Sequence, residues 1–207
     1  MIDQIQMIHE AGFSYNDIKL DNILVGYPKE VKNHKDFLHN IKLVDFGLAK
    51  KYLDKNGKHV TDKKEKIFQG NLIFASPQQF NLHTHSRRND MMSLAYLLVY
   101  LIDGDLCFLR QDGDQDDIDG SFNLEEFKRI RKLKNDLSPK VLCCSQESLT
   151  LLPFVEEIFS YTFEQEPNYD KLRKILLNCL EEIDSEFDNI YDWNRDYERK
   201  KAKNIAQ

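Results

Sequence analysis

The feature that most constrains this chain is a run of apolar residues near its middle, positions 94–102, entered through Asp90. A bilayer crossing needs roughly 20 such residues, so the run is too short to span one. It is expected to be a buried helix against which the rest of the chain packs. Helical spacing continues after it. Residues 124–134 read as a charged helix, and residues 151–161 and 169–183 as amphipathic ones. In the last of these, Leu172, Leu176, Cys179 and Ile183 recur at spacings of three and four. Before the central run, Ile2, Ile5 and Ile8 mark an opening helix that stops at Ala11-Gly12. Two short aliphatic runs, residues 23–25 and 41–44, flank the polar stretch 27–40 and predict a small hairpin with a long loop. Residues 45–77 are polar, lysine-rich and aperiodic, an irregular segment of the length that compact domains usually reserve for function. The expected fold class is mainly α with a small β element.

Composition narrows the function classes. With 41% hydrophobic residues, a chain of 207 can bury a sizeable core as one domain. Its 29 basic and 35 acidic side chains give a net charge of -6, which argues against a dedicated nucleic-acid binder. Cys107, Cys143, Cys144 and Cys179 have neither zinc-site spacing nor the density of a disulfide scaffold, so they read as reduced thiols. Asp3 and Glu10 interrupt the apolar positions of the first helix, and no export signal is visible. An intracellular protein of the cytoplasm or nucleus is expected, with no membrane span. Arg195, Arg199, Lys200, Lys201 and Lys203 set residues 195–207 apart as a basic tail, read either as a targeting element or as a charged helical end. Residues 115–126 have oxygen-bearing side chains, a glycine and a final glutamate at the spacing of a calcium loop, but open on Gln115 rather than Asp. The alternative is a solvated acidic loop before a helix. The six histidines form no ligand set and are expected at the surface.

The residues with chemical content lie between the first helix and the irregular segment. Asp17, Lys19 and Asn22 fall in Tyr15-Asn16-Asp17-Ile18-Lys19-Leu20-Asp21-Asn22, and Asp45-Phe46-Gly47 follows the second aliphatic run. In this order and context the sequence resembles protein kinases, whose catalytic loop carries Asp, Lys and Asn at these offsets and whose metal loop is Asp-Phe-Gly. The structural alternative for Asp17, Asn22 and Gly47 is ordinary turn chemistry. The resemblance implies phosphoryl transfer from ATP, in which the protein positions the nucleophile and neutralises charge. Asp17 would accept the proton of the substrate hydroxyl and Lys19 would sit near the transferred group. Asn22 and Asp45 would hold Mg2+ with the ATP phosphates, and Phe46 and Gly47 would complete the cofactor-binding loop.

Further motifs resemble the casein kinase I family: Ser86-Arg87-Arg88-Asn89-Asp90 entering the buried helix, Gly47-Leu48-Ala49-Lys50-Lys51-Tyr52, Ala75-Ser76, Glu166-Pro167-Asn168-Tyr169 and Tyr191-Asp192-Trp193-Asn194. The likeness runs to about Asn194 and implies a partial kinase domain at 1–194, the C-terminal lobe of the protein-kinase-like fold from the catalytic-loop helix onward. It implies that Asp90 bonds the catalytic-loop backbone; the alternative is a helix N-cap. Lys19 implies Ser/Thr protein substrates. The lysines of residues 50–66 would favour acidic or prephosphorylated ones, with a merely solvated loop as the alternative. Tyr15-Asn16 stands where the family usually has His-Arg, so this position carries no charge to pair with an activation-segment phosphate. Asn71 stands where threonine is usual, which leaves its contact with Asp17 and Lys19 an open point. No Gly-rich phosphate loop and no strand lysine with its helix glutamate occur among these residues, so the N-terminal lobe is expected to be absent and ATP binding by this chain weak. The other reading is a non-catalytic, kinase-like C-lobe that presents a groove or helical face to a partner protein.

Overall fold

A computed structural model describes residues 1–25, 41–109 and 123–185. The polar stretch 27–40, residues 115–122 of the calcium-type loop, Tyr191-Asp192-Trp193-Asn194 and the basic tail lie outside the described residues. The expected class holds: among the described residues helices are the main regular structure, beside four very short strands and the irregular stretch 52–76.

The apolar run forms the centre of α3, Arg87–Asp103. The Ser86 amide donates to Asn89 Oδ1 (3.1 Å) at its start, and Gly104 takes φ +74 just past its end, a conformation a residue with Cβ resists. Met91, Leu94, Ala95, Leu97 and Val99 are buried in the single core of the described residues. Helix α6, Leu152–Phe159, packs along α3 and brings in Phe154, Val155 and Ile158. Helix α7, Tyr169–Glu182, packs on α6 and on α1, Ile2–Glu10. In α7, Leu172 and Cys179 are buried and Leu176 is partly so. Ile183, the last residue of the expected stripe, is 55% exposed because the helix ends at Glu182 and Asp184 turns the chain with φ +52. In α1 the inward residues are Ile2, Ile5 and His9, with Ile8 only partly buried.

The hairpin forms as expected. Strands β2, Ile23–Val25, and β3, Ile41–Leu43, pair antiparallel with Ile23 opposite Leu43. A second ladder joins β1, Phe13–Ser14, to β4, Lys50–Lys51; pairs of two residues carry no alternation a sequence could reveal. After the irregular segment, the short helix α2, Pro77–Phe80, is opened by a reciprocal cap in which Gln79 N donates to Ser76 Oγ and Ser76 N to Gln79 Oε1. Helices α4, Leu124–Asp136, and α5, Pro139–Leu142, complete the body. Among the described residues no helix is long and apolar enough to cross a membrane.

Candidate active site

The loop between β1 and β2 is pinned to the core by the buried Tyr15 and Ile18, and a buried carboxylate fixes its backbone. Asp90, fully buried in the first turns of α3, accepts from the amides of Tyr15 and Asn16 at 2.7 Å each. Its Oδ2 also meets His9 Nε2 at 2.9 Å, and His9 Nδ1 meets the Tyr169 hydroxyl at 2.7 Å. With Asp90 ionised, Nε2 donates to it, while burial keeps the Tyr169 hydroxyl beside Nδ1 protonated. Three donors thus satisfy a charge that would otherwise be prohibitively placed. The N-cap alternative for Asp90 is not what forms, since Ser86 occupies that position. Two of the six histidines are not at the surface as expected: His9 is built into this network, and His85 is also buried.

Asn16 adopts φ +72, the left-handed region that asparagine tolerates better than most residues. Its side-chain amide donates to Ser14 O (3.2 Å) and to Leu48 O (2.8 Å), and its carbonyl accepts from Gln79 Nε2 (3.1 Å). A neutral amide thereby ties the loop to the residues just after Asp45-Phe46-Gly47.

The loop brings three of the expected residues into direct contact. The Asp17 carboxylate, buried at the base of the site, accepts through Oδ2 from Lys19 Nζ (3.0 Å) and from Asn22 Nδ2 (2.9 Å). Asn22 Nδ2 also donates to Asp17 O (3.0 Å). Of the two contacts left open for Asn71, the one with Asp17 forms: Nδ2 reaches Asp17 Oδ1 at 3.4 Å and Ile18 O at 3.0 Å, while its Oδ1 accepts from Phe74 N at 2.6 Å. The longer amide thus makes contact with Asp17.

The second group of residues is docked beside the first by backbone bonds. Val44 N donates to Asn22 O (3.0 Å), and the buried Tyr15 hydroxyl donates to Val44 O. The Tyr15 ring meets Phe46 edge-on at 5.4 Å, leaving Phe46 53% exposed. Asp45 takes φ +59 and its Oδ1 accepts from Gly47 N (3.0 Å). A Cβ at position 47 would stand 3.0 Å from that same oxygen, so a larger residue there would crowd the Asp45 carboxylate.

The donor set suits a hard cation. Both hydrogens of the Asn22 amide are directed at Asp17, which leaves its Oδ1 as the oxygen to offer, and the Asp45 carboxylate lies exposed nearby in the fold. Among the described residues no group of three or more His, Cys, Asp or Glu could hold a metal. A cation here would therefore draw its remaining ligands from phosphate and water, the usual situation of Mg2+. Spacing alone does not reveal the bond from Gln79 Nε2 to Asn16 O or those from Lys134 Nζ to Ile73 O and Ala75 O, which tie segments distant in sequence.

The loop that carries Asp17, Lys19 and Asn22, the Asp-Phe-Gly turn docked on it and the buried helix carboxylate that anchors the loop stand together in the fold, and comparison places the chain in a family. It matches the protein kinase domain over residues 1–181 and belongs to that family. It is also similar to Casein kinase 1-like protein HD16 of Oryza sativa subsp. japonica, 34% identical over 182 residues. That alignment covers 87% of this chain and 24% of the relative, so the chain spans about a quarter of its length.

Proposed function

We propose that these residues are the phosphoryl-transfer machinery of a Ser/Thr protein kinase of casein kinase I type, which moves the γ-phosphoryl group of ATP to a protein hydroxyl. The observation that carries the reading is the convergence of Lys19, Asn22 and Asn71 on the Asp17 carboxylate. The substrate hydroxyl lies against Asp17. Its oxygen forms a bond to the γ-phosphorus while the bond from that phosphorus to the β–γ bridging oxygen breaks, ADP leaves, and the hydroxyl proton passes to Asp17. Lys19, whose side chain is part-exposed, exchanges its contact with Asp17 for one with the transferred group. Asn22 and Asp45 would hold Mg2+, which would supply charge neutralisation on the phosphates, and the Asn22 amide orients Asp17. The likeness to a casein kinase 1-like protein and the lysine two residues after Asp17 support the Ser/Thr assignment.

Acidic or prephosphorylated substrates are supported by a cavity of about 340 Å³ beside β4, lined by Lys50, Lys51, Lys63 and Lys64 with Glu65 as the lone carboxylate. The test is phosphate transfer by the full-length protein and by its Asp17→Asn variant, with ATP and Mg2+. Loss of the base should lower kcat about a thousandfold with little change in the KM for ATP. A variant within tenfold of the unaltered protein removes Asp17 from that role. An unaltered protein that transfers no phosphate yet binds a partner protein favours the non-catalytic reading.

A further inference from the structure

Lys134 lies in the last turn of α4 with only 1% of its surface exposed. No carboxylate among the described residues pairs with it. Instead its Nζ donates to Ile73 O and Ala75 O, both at 2.6 Å. The rings of Tyr96, Phe80 and Phe108 stand with their centres 4.2, 5.3 and 5.9 Å from the same nitrogen. Burial pushes its pKa well below the ordinary lysine value, but the amine keeps at least two N–H donors in either protonation state. The position has a geometric reason. An α-helix spends its interior backbone donors on itself, so α4 can reach two carbonyls of a neighbouring segment only through a long side chain that ends in a donor.

Those carbonyls belong to residues 70–75, the stretch whose Asn71 touches Asp17 and Ile18 O. The segment is held at its other end by Gln79 Nε2, which bonds Gln69 O and Asn16 O at 3.1 Å each. We infer that Lys134 is a positioning residue, which fixes the segment 70–75 from inside the helical body so that Asn71 stays on the Asp17 carboxylate. The anchoring stands on the contacts alone; its effect on substrate rests on the kinase reading of the site.

Hydrogen exchange on the full-length protein tests the anchoring without requiring activity. Under low denaturant, the amides of Phe74 and Ala75, which donate to Asn71, should open together with those of α4 around Ile130. In Lys134→Met, which keeps length but not the donors, those two amides should exchange at least about tenfold faster, while amides of α6 and α7 keep their rates. Lys132→Met, on the exposed face of the same helix, should change nothing. Residues 74–75 that open independently of α4 in the unaltered protein, or exchange unchanged in Lys134→Met, overturn the assignment. If Lys134→Met does not fold, the unaltered protein alone decides. In an active enzyme the same variant should raise the KM for a peptide about tenfold and leave the KM for ATP alone. An unaltered protein without transfer activity defeats the kinase reading and leaves the exchange result standing.

Discussion

The strand side of the molecule, residues 13–25 and 41–48, and the helical body of α3, α6 and α7 are stabilised by different means. The loop side reaches the core through Tyr15 and Ile18 but also buries Ser14, Asn16, Asp17 and Asn22, each fixed by directed bonds. The body buries Leu94, Leu97, Phe154, Ile158 and Leu172 by contact area. Directed bonds give a site its geometry but concentrate the load on a few atoms, with Asp90 at the hub. Area spreads the load, so that any one side chain matters in proportion to its volume.

The sharpest way to break this comparison is Asp90→Ala. It strands two buried amides and His9, and should cost about 3–5 kcal/mol in urea unfolding, with lost exchange protection centred on residues 15–18. Leu172→Ala should cost a similar or smaller amount, about 2–4 kcal/mol, and leave those amides protected. An Asp90→Ala cost below 1 kcal/mol would mean the loop has another anchor.

A smaller effect comes from His85, buried between α2 and α3, whose imidazole burial pushes down to about 4. Its folded pKa lies below the unfolded value near 6.5, so the unfolded chain takes up the proton first. Stability is therefore full above about pH 6.5 and falls as pH drops toward 4, by at most about 3 kcal/mol. His85→Gln should flatten that slope in denaturant titrations between pH 7 and 4.

The smallest effect marks the other limit of the contrast. Arg173 on α7 bridges Asp3 (2.6 Å) and Asp170 (2.7 Å) at the surface. Solvent screens such pairs, so Arg173→Met should change stability by less than about 1 kcal/mol. A cost above 2 kcal/mol would show that polar contacts carry the body as well.

The same contrast decides what could be read before the fold was known. The body was legible because apolar spacing reports burial: positions 94–102 gave α3, and Leu172 and Cys179 gave the inner face of α7. Ile183 misled because hydrophobicity does not say where a helix ends. In the loop, Asp17, Lys19 and Asn22 were legible because their partners are each other, within a few residues. Asp90 needed a family likeness. His9 and Lys134 gave no local signal, since the atoms they bond lie 81 and 59 residues away in the chain; the cap of Gln79 on Ser76 is local, but its bond to Asn16 O spans 63 residues. The two-residue pairing of β1 with β4 was equally silent.

The Asp90 anchor also sets a clock. The Asn16 amide precedes its acceptor by 74 residues, and at the usual pace of synthesis, 5–20 residues per second, roughly 4 to 15 s separate their appearance on the ribosome. Throughout that interval the nascent loop has no carboxylate to close on, and any chain that stops before residue 90 never acquires one.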